Sequence, residues 1–161
     1  MTMDGLTELA ASVLGAPVAL VSIVEKDWDR QFFTSQIGLP SPWDAYRQTP
    51  LSHSFCQHVV ADGEPLVVVD ARTNPRVKDN LAIPELNVIA YLGVPVRGPD
   101  HAPLGALCVI DSKPRDWSAD DVKMLSRLAD CVSCEVQLRA ALLTTRKLQT
   151  ALEEVTRGAA I

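Results

Sequence analysis

Two adjoining segments, "IAYLGVPVRG" (residues 89–98) and "PLGALCVID" (residues 103–111), constrain the fold more than any other part of the chain. A turn containing Gly98, Pro99 and Asp100 separates them, which makes them a strand pair. Side chains of a strand alternate between faces, so Leu104, Ala106, Cys108 and Ile110 point one way and Leu107 and Val109 the other. Both sets are apolar. Such a strand has to lie centrally in a sheet that is covered on both sides.

The remaining segments supply the sheet's neighbours and its cover. "VALVSIVEKD" is a continuous β-branched run with the profile of a second doubly buried strand. It leads through "EKDWD", a hairpin turn, into "DRQFFTSQIGLP", which Gly38 and Pro40 end. "PLVVVDA" reads as one more strand. "DGLTELAASVLGAP" places Leu6, Leu9, Ala10, Val13 and Leu14 at helical spacing, with Gly15 and Pro17 as the stop. A second helix is expected from Ser52 to about Ala61, capped by Ser52. The Pro40–Pro50 stretch is expected to be a loop with at most a helical turn, and "RTNPRVKDNLAIPELN" a polar segment with room for a short helix. A long helix follows Ser118, its expected cap, with Asp120 and Asp121 favourably placed in the first turn. It is expected to run to Arg157, with "GAAI" as a short tail. Strands in pairs at both ends of this order argue for hairpins. The fold class is therefore α+β: a central antiparallel sheet of five to six strands, flanking helices and a long C-terminal helix.

At 161 residues the chain is long enough for one domain with a core of its own, and 47% hydrophobic and 22% charged residues fit that class. A net charge of −5 and no local Lys/Arg cluster argue against a nucleic-acid partner. No apolar run approaches membrane-spanning length, and the N-terminus lacks the order of a signal peptide. A cytoplasmic location with reduced thiols is expected, so the four cysteines are read as free.

In order along the chain, "APVALVSIVEKDWDRQFF", "TPLSHSFCQHVV", "GEPLVVVDARTNPR", "AYLGVPVRG", "LGALCVIDSKPRDWS" and "LSRLADCVSCE" resemble a GAF domain, the small-molecule-sensing unit of signalling proteins. The resemblance covers about Leu6 to Val136. The Leu-Gly-Ala-Leu-Cys-Val-Ile-Asp stretch is most similar to GAF domains attached to histidine kinases, as in two-component systems, and to diguanylate cyclases. It implies a pocket between the sheet and its loops that holds a small ligand in many members. Mapped by element, the sheet offers Phe33, Cys108 and Tyr91. The loop offers Trp43, Tyr46 and Arg47, with Arg47 able to pair with an anionic group or to be held by Asp44. The helix offers Phe55, Cys56 and His58. The family does not select the ligand, so the cofactor stays unknown. The Asn-Lys-Phe-Asp signature of cyclic-nucleotide-binding members is absent. Bilin-attaching members place His directly after the attachment Cys, whereas Gln57 follows Cys56 here.

"TPLSHSFCQHVV" carries the densest side-chain chemistry. On one helix, His53 and Cys56 would share a face, as would Ser54 and His58, and a thiolate beside an imidazolium would be reactive. His53 and His58 point about 140° apart on a regular helix, which argues against a shared metal. The simpler reading makes Phe55, Cys56, Val59 and Val60 a buried stripe. Sulfoxide-reducing GAF enzymes use paired cysteines. Cys56 and Cys108 could form such a pair only if the fold joined them, and their spacing does not match.

Cys131 and Cys134 form a C-x-x-C without the second pair that zinc requires and deep inside a helix, away from the dipole position a redox motif uses. They fit better as the start of a heptad seam continuing through Leu138, Ala141, Thr145, Leu148, Leu152 and Val155. An apolar stripe that outruns its domain needs a partner, and a second copy in parallel is the expected one. The chain carries no phosphate loop, nucleophile elbow or catalytic carboxylate pair at a recognisable spacing. The sequence therefore reads as a non-enzymatic sensory unit, residues 1–137, with a signalling extension, residues 138–161, that couples a ligand or redox event to a downstream effector. A ligand-free dimerisation module and a cysteine-dependent reductase are the competing readings.

Overall fold

A computed structural model of the chain describes residues 2–159. β6 (Pro103–Asp111) lies inside a six-stranded sheet, where its two apolar faces require it to be. Its neighbours are β1 (Val18–Glu25) and β5 (Ala90–Arg97). β2 (Arg30–Ile37) and β3 (Gln48–Pro50) extend one side, and β4 (Leu66–Val68) the other. Every pairing is antiparallel.

The alternation of side chains sorts the core into two layers. Ala19, Val21, Leu92, Val94, Val96, Leu107 and Val109 face α1 (Met3–Leu14) and the first part of α5 (Ala119–Ala159). Leu20, Phe33, Tyr91, Ala106, Cys108 and Ile110 face α3 (Cys56–Asp62), α4 (Ala82–Leu86) and the loop around Ala71 and Val77. The helical turn α2 (Trp43–Tyr46) stands at the β3 edge. α1 ends at Gly15, whose left-handed φ of 61° lets its N–H and that of Ala16 bond back to the last turn. At the start of α5, Ser118 Oγ accepts from Asp121 N, and Asp121 Oδ2 accepts from Ser118 N, both at 3.0 Å. This is a capping box.

Helix α5 has 41 residues and is about 60 Å long. Leu125, Leu128, Ala129, Val132 and Ser133 are buried against the sheet, and Gln137 Nε2 still donates to Gly98 O at 3.1 Å. Residues 141–159 are exposed throughout. The helix passes Arg157 and continues to Ala159, so the expected stop is corrected: Gly158 lowers helix propensity without ending the helix. Among the described residues no helix is long and apolar enough to cross a membrane.

Three local expectations change. The helix expected from Ser52 begins at Cys56, because Leu51–His53 form a 3₁₀ turn and Ser54 is extended (φ −113°, ψ 122°). Ser54, not Ser52, serves its first turn, accepting from Gln57 N at 3.1 Å. Val13 is 48% exposed and lies off the buried stripe of α1, which Met3, Thr7 and Ala11 join instead. The Pro40–Pro50 loop also holds strand β3, whose three residues are too few for a periodic signal.

Where β6 crosses β1, a Cβ on Gly105 would lie 2.1 Å from Ser22 O, a backbone atom of the central strand pair. Neither strand can retreat without breaking its ladder. Gly105→Ala is expected to destabilise the domain by about 3 kcal/mol, seen as a lower urea midpoint with an unchanged m-value.

Candidate functional site

Small residues on one face of the sheet make room for an aromatic interior. Tyr91 lies across Gly93 two residues along β5, where an added Cβ would meet the phenol oxygen at 2.2 Å. Glycine is thus what allows the ring to lie flat towards Cys108, the cross-strand neighbour of Gly93. Phe55, just before α3, packs on Tyr91 with ring centroids 5.2 Å apart. Phe33 from β2 closes the same space and is 1% exposed.

At the centre of this layer Cys56 Sγ lies 3.1 Å from Tyr91 Oη and 4.0 Å from Cys108 Sγ. All three residues are buried. Burial pushes Cys108 and Tyr91 well above their ordinary ranges, so both keep their protons and can donate. The hydrogen bond from Cys108, and then that from Tyr91, hold Cys56 below the usual thiol range against the opposing effect of burial. Cys56 is the more acidic thiol of the pair.

A polar cluster borders the aromatic layer. Gln31 Oε1 accepts from Ser22 Oγ (2.9 Å) and Ser54 Oγ (2.7 Å), and Gln31 Nε2 donates to Thr49 Oγ1 (2.8 Å) and His53 O (3.3 Å). Each donor and acceptor of the buried amide is used, which fixes the 3₁₀ turn against β2. Trp43 lies beside the His53 ring, with centroids 5.7 Å apart. His53 Nε2 donates to the Glu85 carboxylate, and Nδ1 lies 2.9 Å from Ser52 Oγ. Among the described residues no group of three or more His, Cys, Asp or Glu is arranged to hold a metal ion.

Between these groups lies a void of about 20 Å³, lined by Phe33, Phe55, Cys56, Tyr91 and Cys108 together with Gln31 and His53. It has room for about one water. Five of the nine candidate residues thus meet around one interior space. The other four lie elsewhere. Trp43 and Tyr46 line an open groove of about 600 Å³ with Trp28 and Arg30. Arg47 donates from Nε to Phe33 O (3.1 Å) and from Nη2 to Thr34 O (3.0 Å), extending the β2 edge; its guanidinium is held by backbone, not by Asp44. His58 is half-buried beside Asp62 and Arg76, outside the void.

Sequence spacing reached one participant by the wrong route and missed another. His53 leaves the helix and so shares no helical face with Cys56, yet it lines the void from the preceding turn. Gln31 sits in a run of strand formers that gives no sign of its cross-strand partners. The pairing of Cys56 with Cys108 spans 52 residues, and their spacing did not suggest it. The fold joins them.

Burial, and then the Arg76 guanidinium, keep His58 below the ordinary imidazole range, with Asp62 opposing. The unfolded chain therefore binds this proton more readily than the folded one, and acidification costs stability. His58→Gln is expected to flatten the fall in the urea midpoint between about pH 7.5 and pH 5.5, measured side by side with the unsubstituted protein.

Known proteins are similar to this chain in sequence or in fold. A cyclic di-GMP phosphodiesterase of Pseudomonas aeruginosa is 37% identical over 129 residues, which are 79% of this chain and 21% of that protein. The chain thus spans about a fifth of the length of the curated relative it matches. The GAF domain of a phosphoenolpyruvate-protein phosphotransferase from Coxiella burnetii has the same fold, with a TM-score of 0.72 at 17% identity over 88% of this chain and 84% of that one. Free methionine-R-sulfoxide reductase from Neisseria meningitidis, in complex with its substrate, gives 0.66 at 18% identity over 86% and 78%. The GAF domain family itself matches residues 1–136, the stretch from α1 to the last part of α5 that still packs on the sheet. On that match, and on the six-stranded sheet with its two helical layers, the chain belongs to the GAF domain family.

Proposed function

We propose that this chain is a sensory and regulatory domain whose output is a parallel homodimer formed through α5. The observation that carries the reading is the exposed leucine series on that helix. Leu138, Leu142, Leu148, Leu152 and Val155 are each at least half exposed, on a helix that runs about 35 Å past residue 136. Most of them fall on the heptad positions read from the sequence. Leu6, Leu9, Leu128 and Leu138 line an apolar groove between α1 and α5, so the stripe begins on the domain itself. Residues 1–137 are the input unit and 138–161 the output extension.

The similarity to a cyclic di-GMP phosphodiesterase supports an effector that acts on a cyclic dinucleotide, either in the same polypeptide or in a partner. The input acts at the interior layer of Phe33, Phe55, Cys56, Tyr91 and Cys108. A ligand of metabolite size has to displace α3 and its preceding turn outward, since the void holds about 20 Å³. That small volume favours the ligand-free dimerisation module as the second reading. Light scattering across a concentration series tests the first: a dimer mass is expected, and a monomer at high concentration sinks the reading.

A further inference from the structure

Cys56 and Cys108 reach each other from different layers, one from the first turn of α3 and the other from the middle of β6. Both are free thiols with Sγ atoms 4.0 Å apart. A disulfide needs about 2.05 Å, so an approach of about 2 Å would close the bond. Both residues line the same void, whose size suits a molecule near that of water. On its outer side lies His53, 8% exposed and bonded to Glu85, whose side chain is 49% exposed. A small oxidant would reach the sulfurs past this side-chain pair.

We propose that Cys56 and Cys108 are a modification site at which a small hydroperoxide drives formation of a disulfide inside the domain. Cys56, as thiolate, attacks the distal peroxide oxygen. The O–O bond breaks, leaving Cys56 as a sulfenic acid and releasing hydroxide, which takes up the proton that Cys56 gave up on ionising to leave as water. Cys108 then attacks the Cys56 sulfur, and its own proton leaves with the sulfenic hydroxyl as a second water. Two thiols and one hydrogen peroxide thus give one disulfide and two waters, with the peroxide as the two-electron acceptor. Tyr91 assists through its bond to Cys56, which favours the attacking thiolate, and loses that partner once the disulfide closes. The first turn of α3 is drawn towards β6, which shifts Phe55 on Tyr91. The site stands on this interior geometry and does not depend on dimerisation through α5.

The test uses the full chain with Cys131→Ser and Cys134→Ser, which removes the two exposed thiols. Native protein is treated with hydrogen peroxide, quenched, denatured, alkylated and mapped by peptide mass spectrometry. The expected result is a peptide linked through Cys56 and Cys108, loss of both alkylatable thiols, and their recovery with dithiothreitol. Adding Cys108→Ala should abolish the link and leave Cys56 as a sulfenic acid trapped by dimedone. Cys56→Ala should leave Cys108 without adduct at the same dose. Glu85→Ala, which opens the outer side, should speed oxidation several-fold. Circular dichroism confirms that each variant is folded. Two intact thiols in native protein after a dose that oxidises the denatured chain would overturn the proposal, as would equal dimedone labelling in the two alanine variants. An unchanged rate in Glu85→Ala would overturn the access route.

Discussion

Tyr91→Ala is expected to lower the unfolding free energy by about 3–5 kcal/mol, a large part of what holds a domain of this size together. The ring is 2% exposed and sits between Phe55, Gly93 and the two interior cysteines. Nothing nearby can fill the space it leaves. The sheet beneath it is backbone, and Phe33 is itself buried in the lining of the same void. Tyr91→Phe separates the ring from the hydroxyl. It keeps the packing and removes only the hydrogen bond to Cys56 Sγ, 3.1 Å away, for an expected loss of about 1 kcal/mol. Urea unfolding of the three proteins reads both effects. Equal losses for the two substitutions would show that the hydroxyl, and not the ring, carries the interior.

Leu148→Lys combined with Leu152→Lys is expected to weaken self-association at least about a thousandfold. In a parallel pair each helix would bury both leucines against the other, at about 1.5–3 kcal/mol per side chain. Lysine at the seam would also set like charges against each other. In the isolated chain these residues are 62% and 67% exposed and lie beyond the part of α5 that packs on the sheet. The thermal midpoint of the domain at low protein concentration should therefore not move. Sedimentation velocity of the variant beside the unsubstituted protein distinguishes the outcomes. If both sediment alike, the stripe serves something other than a second copy of this chain.

How legible the molecule was depended on the range of the interaction. Periodicity placed β6 and α1, and runs of strand formers between turn residues, or a cap before a long helical stretch, placed β1, β2, β4, β5 and α5, all from interactions between neighbours in the chain. β3 escaped because three residues carry no period, and it exists only through its pairing with β2. The start of α3 was misplaced because a polar stretch rich in Ser and His satisfies helix and turn rules alike. Gln31, by bonding Ser22, Ser54, Thr49 and the His53 carbonyl, decided in favour of the turn.

The candidate site divides along the same line. Phe33, Phe55, Cys56, Tyr91 and Cys108 were readable as pocket residues only through the resemblance to the family, and strand parity added the face of Cys108 alone. The contact of His53 with Glu85 was not readable, because it joins two short segments 32 residues apart with no pattern of their own. Arg47 looked available to an anion from its charge alone. Backbone carbonyls of β2 occupy it because the chain reverses at that residue, with φ at 55°.

Residue spacing and composition alone account for a central antiparallel sheet covered on both sides and for a long C-terminal helix, because side-chain direction follows from spacing. That two cysteines 52 residues apart lie 4.0 Å from each other beneath one tyrosine, and that the space beside them is about the size of a water, became visible in the packed fold. Those facts depend on the distance between layers, which is set by the volumes of Phe33, Phe55 and Tyr91 against the glycine and alanine of the sheet, and no local pattern records it.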